Sequence, residues 1–385
     1  MRFLRLMLLH ALALVARRLA RRPSDDPAHI LFIKPDHLGD VLLATPALAA
    51  LRARYPDARI TALVGPWSRP MLERSPHIDT LQTCPFPGFE RERAQRGPLA
   101  RLLWPYAVLL RQAALLRAAR YDIAIVARDD HWWGAALALL AGVPRRVGFA
   151  TPECAPLLTD ALPWNPAEHV TRQALALVGH LRPPAPGEML MRTLFRPAPQ
   201  DIAWADAWLA ARLGQRRLVI IQPGTGGAAK HWLDERWAEV GDALAEDDGL
   251  LLVMAGGPGE EERAGRIMGA MRQMPLDLVG KTSLGQLAAL MARAALVLGV
   301  DSGPLHLAAA AGAPTVQIYG PGNERRFGPW GHPGRHTVLR AELWCRPCGV
   351  LDACPRGLAT PECMAKVPAR QLLAAAASSL ARETR

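Results

Sequence analysis

Three short segments of this chain carry residue types that bind or move charged groups. The first is Asp301-Ser302-Gly303-Pro304-Leu305-His306, between the apolar run Ala294 to Gly299 and the small-residue run Leu307 to Gly312. A strand that turns into a helix there presents bare backbone N–H groups with the helix dipole behind them, which suits a phosphate. The Ser302 hydroxyl and the His306 imidazole add side-chain donors. The second segment, Gln222 to Trp232, reads Q-P-G-T-G-G-A-A-K-H-W. It lacks the GxxxxGK[ST] spacing of a P-loop. A glycine-rich backbone with the Thr225 hydroxyl and the Lys230 ammonium still suits a diphosphate, and it equally suits a surface loop before a helix. The third segment is Lys34-Pro35-Asp36-His37-Leu38-Gly39-Asp40. Asp40 opens a helix there, so it reads either as an N-cap or as a general base.

These segments need elements to hold them. Apolar runs at His29 to Lys34, Ile60 to Gly65, Tyr121 to Ala127 and Arg146 to Phe149 read as strands. A second series follows at Leu218 to Gln222, Leu250 to Ala255, Leu276 to Val279, Ala294 to Gly299 and Thr315 to Tyr319. The runs are continuous rather than alternating, as in strands buried on both faces, and helical patterns separate them. Examples are Asp40 to Leu51 and Glu235 to Leu244. Strand–helix alternation predicts parallel α/β sheets. Five Pro between residues 182 and 200 mark a linker. The expected organisation is a basic segment 1–27, a Rossmann-like domain 28–185, a linker 186–200, a second Rossmann-like domain 201–364 and a C-terminal helix 365–385. Each of the three segments lies at the carboxyl end of a strand, where such sheets bind ligands.

The chain has 385 residues and a formal charge of +11, which favours an anionic partner: a phosphorylated substrate, a lipid surface or nucleic acid. No zinc-finger or RNP signature supports nucleic acid. Met1 to Arg22 holds six Arg and no acidic residue around the apolar stretch Leu6 to Ala16. That stretch is too short to span a bilayer and reads as an amphipathic helix for an anionic membrane surface, or as one packed on the protein. Of the six Cys, Cys345, Cys348, Cys354 and Cys363 follow the spacing C-x2-C-x5-C-x8-C. Four such thiols suit a structural zinc or iron, and they equally suit a loop of buried thiols.

Together the segments resemble glycosyltransferase family 9, the heptosyltransferases of lipopolysaccharide core assembly. The resemblance rests on K-P-D-H-L-G-D-V-L-L-A-T-P from Lys34, P-G-T…K-H-W at Pro223 to Trp232 and D-S-G-P-L-H-L from Asp301. It implies a GT-B fold, two Rossmann-like domains facing a cleft, with acceptor bound by the first and sugar nucleotide by the second. It implies inverting transfer of a heptose-like sugar, often from ADP-heptose, with no catalytic metal. By the same resemblance Asp40 falls on the general base and Thr225 and Lys230 on diphosphate positions. Asp301 falls on a sugar-hydroxyl position, and Ser302, Gly303 and His306 on the loop holding diphosphate and sugar. Lipopolysaccharide core is anionic, and Lys34, Arg69, Arg128, His131 and Arg145 near strand ends could meet its charges, or form an ordinary solvated basic surface. Pro258 stands where related heptosyltransferases carry a Glu near the nucleoside, leaving Glu260 or Glu261 to substitute. The cysteines resemble C-terminal cysteines of family members with a bound iron. The implied setting is the cytoplasmic face of the inner membrane, with a lipid-linked glycan as acceptor. Transfer of another sugar, transfer to a protein, and a non-transferase nucleotide-sugar binder or isomerase are the alternatives.

Overall fold

The computed structural model describes residues 26–90, 97–183, 192–332 and 334–383. The basic segment expected to touch a membrane, residues 1–22, lies outside them, as do Pro184 and, in the expected linker, Pro186. The chain divides into two compact units, Met1–Met191 and Arg192–Arg385.

The first unit runs β1 (His29–Lys34), α1 (Leu38–Arg54), β2 (Arg59–Val64), β3 (Thr80–Thr83), α2 (Pro98–Ala118), β4 (Ile123–Val126), α3 (Trp132–Leu140), β5 (Arg145–Phe149), β6 (Asp160–Leu162) and α4 (Val170–Leu181). Its sheet is parallel, in the order β3-β2-β1-β4-β5-β6. The edge strands β3 and β6 escape a reading of apolar runs because neither is buried; Thr-Leu-Gln-Thr at β3 is half-exposed throughout. Centrally, Ile30, Leu31, Phe32 and Ile33 are wholly buried, as parallel strands covered on both faces require.

Helix α1 contains Pro46, which cannot donate to the carbonyl of Leu42 one turn back. The Thr45 hydroxyl takes that carbonyl at 2.7 Å instead. The neighbouring carbonyl, of Leu43, accepts from Thr171 of α4, also at 2.7 Å, and ties the two helices together.

The second unit runs α5 (Pro199–Ala210), β7 (Arg217–Gln222), α6 (Asp234–Ala245), β8 (Leu250–Met254), α7 (Glu261–Gly269), β9 (Leu276–Asp277), α8 (Leu284–Met291), β10 (Leu296–Val300), α9 (Gly303–Ala311), β11 (Thr315–Tyr319), α10 (Glu324–Phe327), β12 (His336–Arg340), α11 (Glu362–Ala365) and α12 (Ala369–Glu383). The last Pro of the expected linker, Pro199, already belongs to α5, at a first-turn position where its missing N–H costs nothing. The sheet order is β12-β11-β10-β7-β8-β9, again parallel. Trp232 and Trp237 meet edge to face at 4.9 Å in its core.

Both units therefore share one strand order. In each, the chain runs outward in one direction from the first strand and in the other from the fourth. The crevice between those two strands, β1/β4 in the first unit and β7/β10 in the second, is where a doubly wound sheet receives a ligand.

Candidate functional site: two switch points

In the first unit the β1/β4 crevice holds a buried charge network. Lys34 ends β1, is 6% exposed, donates to the Ala127 carbonyl at 3.1 Å and pairs with Asp36 at 2.9 Å. Arg128, just past β4, pairs with the other Asp36 oxygen, reaches Asp130 at 2.6 Å and lies over the Phe89 ring. Burial alone would raise the Asp36 carboxyl, but Lys34 and Arg128 outweigh it and hold the group at about 2. The Asp36 carbonyl is also clamped, by Trp67 at 3.0 Å and Ser68 at 2.6 Å. Gly65 makes that clamp feasible, since a Cβ there would stand 2.1 Å from the Trp67 ring.

Asp40 stands just beyond this network. The structure corrects its expected place: α1 begins at Leu38 with His37 as the cap, and Asp40 lies in the first turn, half-buried. An acid in that turn is favoured by the helix dipole.

His131 completes this half. It is 4% exposed, and neither ring nitrogen has a hydrogen-bond partner among the described residues. Burial first, then Arg128 and Lys34, push it down to about 3 against the raising effect of Asp36, so it is neutral at pH 7. Its ring packs on Phe86 and Phe89, and Gly134 leaves room for it, because a Cβ there would come within 2.4 Å of Nδ1. His131, Arg128, Asp130, Phe89 and Tyr106 line a pocket of about 450 Å³. A neutral imidazole with one donor and one acceptor suits a hydroxyl, and Arg128 suits an anion.

In the second unit the β7/β10 crevice is built differently. Gln222 ends β7 and the glycine-rich loop follows; Thr225 Oγ1 donates to the Asp301 carbonyl at 3.2 Å. Lys230 lies 3.5 Å from the Asp301 carboxylate, with both side chains about one-eighth exposed. Ser302 occupies the N-cap position of α9 with extended backbone but makes no side-chain cap bond. Its hydroxyl is buried and without a partner among the described residues. Gly303, Pro304 and His306 form the first turn of α9, with His306 6% exposed. The crevice thus gathers Thr225, Lys230, Asp301, Ser302, Gly303 and His306, with a helix N-terminus to favour an anion.

Glu260 turns inward at the same end of the sheet. Its Oε2 accepts from Gly257 N at 2.8 Å and from Gln222 at 3.3 Å. It also sits against Gly224, where a Cβ would come within 2.1 Å of its carboxylate. Glu261 instead accepts from Gly259 N at 2.7 Å.

The family model described as glycosyltransferase family 9 (heptosyltransferase) matches residues 109–354, well over half of the sequence. The chain belongs to glycosyltransferase family 9. Lipopolysaccharide heptosyltransferase 2 of Escherichia coli is 27% identical over 324 residues, covering 80% of this chain and 86% of that protein. The solved E. coli ADP-heptose lipopolysaccharide heptosyltransferase II superposes with a TM-score of 0.71 at 23% identity, covering 93% of this chain and all of that one. A family 9 glycosyltransferase structure from Veillonella parvula gives a TM-score of 0.75 at 23% identity, over 94% and 99% of the two chains. The fold is GT-B and the protein is a glycosyltransferase.

Three expected positions of this glycosyltransferase stand apart from the two networks. Arg69 is exposed on a short 3-10 helix and pairs with Glu73 one turn on, outside the buried network. Arg145 stands at the start of β5, not at its carboxyl end, and pairs with Asp160. A structural metal at the cysteines finds no support: among the described residues no group of three or more His, Cys, Asp or Glu could hold an ion. Cys348 is exposed, Cys345 and Cys354 are half-buried, and Cys363 is buried at α11. Burial first, then the Cys348 thiol, push the Cys363 thiol up. The loop carrying them braces the glycine-rich loop: Leu351 O accepts from Ala229 N at 2.9 Å, close enough to Gly227 that a Cβ there would stand 2.7 Å from it.

Sequence reasoning passed over Asp36. It lay inside a quoted motif, but its role depends on Arg128, 92 residues away, which nothing local announces. His131 was legible only as a basic residue near a strand end. Its neutrality comes from aromatic neighbours that the fold supplies.

Proposed function

We propose that this glycosyltransferase moves a heptose from ADP-heptose to a lipopolysaccharide core acceptor, with inversion and without a catalytic metal. The observation that carries the reading is the second switch point, where Thr225, Lys230, Asp301 and the Ser302–His306 turn converge in a family 9 chain. Lys230 and the N-terminus of α9 offset charge on the leaving diphosphate, and Asp301 and His306 meet sugar hydroxyls. Asp40 takes the proton from the acceptor hydroxyl as that oxygen bonds to the anomeric carbon. The bond from that carbon to the phosphate oxygen breaks with its electron pair, and ADP leaves. Attack opposite the leaving group inverts the anomeric centre.

Arg128 receives an acceptor anion, and His131 a hydroxyl beside it, while Lys34 holds Asp36 beneath them. Glu260 is the carboxylate nearest the glycine-rich loop for nucleoside contact, in place of the side chain Pro258 lacks. The acceptor is lipid-linked, and the enzyme works peripherally at the cytoplasmic face of the inner membrane.

The test is a donor screen on purified protein with ADP-heptose and UDP- and GDP-sugars, a truncated lipopolysaccharide acceptor, and a chelator present throughout. Transfer from ADP-heptose alone, insensitive to chelation and giving an inverted anomeric signal by NMR, is expected. Transfer only from another nucleotide sugar, or loss of transfer with chelator, would overturn the donor or the metal-free assignment respectively.

A further inference from the structure

Helix α2 has an outward face that the transfer chemistry does not use. Its inner face, Leu109, Ala113 and Leu116, packs into the core of the first unit beside α3. The opposite face carries Leu103, Ala107, Leu110 and Ala114, spaced four, three and four residues apart on one side of the helix, all exposed. Leu103 is 55% exposed and Leu110 62%, with Tyr106 and Leu115 flanking them at 51% and 61%. A surface helix of a soluble domain ordinarily turns polar side chains outward, and a contiguous apolar row there marks an interaction surface.

The charges around this row say what covers it. From Pro98 to Ala118 there is no Asp or Glu, while Arg101, Arg111 and Arg117 are all exposed. An apolar stripe rimmed by Arg alone is the pattern of a helix lying in the plane of an anionic bilayer, its leucines at the acyl boundary and its guanidiniums among phosphates. A second copy of the chain is a poor occupant. A two-fold contact would set this cationic rim against itself, in a molecule already at +11. Arg101, Pro105 and Tyr106 also line the pocket that holds Arg128 and His131, so the apolar row runs up to the mouth of that pocket.

We propose that α2 is the membrane-docking surface of this protein, seating Leu103, Leu110 and Leu115 in an anionic leaflet. The pocket beside it then opens at headgroup level, where the glycan of a lipid-linked acceptor emerges. This builds on the lipid-linked acceptor of the proposed function and adds the surface that meets the lipid. No helix among the described residues is long and apolar enough to cross a membrane, so the contact is interfacial.

The test is flotation of the full chain with vesicles of phosphatidylethanolamine and phosphatidylglycerol, against vesicles of phosphatidylcholine alone. Binding to the anionic vesicles is expected, weakening with salt. The double variant Leu103→Ser/Leu110→Ser should lower partitioning about tenfold or more, since two buried isobutyl groups leave the acyl boundary. Arg111→Glu/Arg117→Glu should lower it by a similar factor at low salt. Both pairs are exposed, so circular dichroism and thermal unfolding should match the parent, and turnover of a delipidated acceptor should be unchanged.

Three outcomes would overturn the proposal. One is equal flotation of the parent and the leucine variant. Another is flotation that survives in that variant but vanishes on deleting residues 1–22. The third is a parent dimer that the leucine variant dissociates with no vesicle binding by either. Vesicle binding intact with no transfer from any donor would instead defeat the transfer reading and leave the docking surface standing.

Discussion

The two units share one strand order and spend their switch points in opposite ways. At β1/β4 the charges are mutually satisfied: Asp36 is shared by Lys34 and Arg128, and Arg128 in turn holds Asp130. At β7/β10 the groups are less committed: one longer pair, Lys230 to Asp301 at 3.5 Å, a glycine-rich loop and a buried Ser302 hydroxyl without a partner among the described residues. The difference fits two kinds of ligand. A charge-balanced crevice is preorganised and can present Arg128, a neutral His131 and a half-buried Asp40 to an acceptor that carries both charge and hydroxyls. A crevice with spare donors and a helix N-terminus gains its balance when an anion arrives.

The comparison can be broken most sharply at Asp40. Asp40→Asn should lower kcat by about 10²- to 10⁴-fold while donor affinity, measured by calorimetry, stays near the parent value. Retained turnover would remove the chemical step from the first unit.

The next effect is on stability. Asp36→Asn strips the carboxylate from two cations in a buried setting and should cost about 3–5 kcal/mol in urea unfolding, felt in the first unit. The sign with pH follows from the lowered carboxyl. The contribution of Asp36 is full above its ordinary value of 3.8 and is lost as pH falls through about 2. A small cost would mean the network is not the preorganised half.

Lys230→Ala should weaken nucleotide diphosphate binding by about 10- to 100-fold, the worth of a charge-assisted hydrogen bond of roughly 1.5–3 kcal/mol, with little change in unfolding. Unchanged calorimetric affinity would deny the second unit its anion.

At neutral pH the smallest effect belongs to His131. Held neutral at about 3 in the fold against an ordinary 6.5, it lets the unfolded chain bind the extra proton, so stability falls as pH drops from 6.5 toward 3. His131→Phe should flatten that window by at most about 1.4 kcal/mol per pH unit, seen in urea midpoints taken across it.

Much of this architecture is legible in the chain. Continuous apolar runs announce buried parallel strands because neither face meets water, and all nine runs read this way overlap observed strands, though Leu276 to Val279 gives only the short, half-exposed edge strand β9. The edge strands β3, β6 and β12 are not legible, because their outer faces take ordinary polar residues. The second switch point is the more legible of the two. Gly224 and Gly227, which let Glu260 and Leu351 approach, and Pro304 in the first turn of α9 are local requirements written where the chain turns from strand to helix.

Amino-acid types and spacing alone determined the α/β class, the doubled organisation and the motif residues at the strand ends, since those follow from local periodicity and turn chemistry. Tertiary structure alone decided which charges cancel. Lys34, Asp36 and Arg128 become one network, Arg69 and Arg145 drop out of it, and His131 loses its proton. Charge pairing and desolvation depend on distance through space, and residues 92 apart in the chain meet only once the sheet has formed.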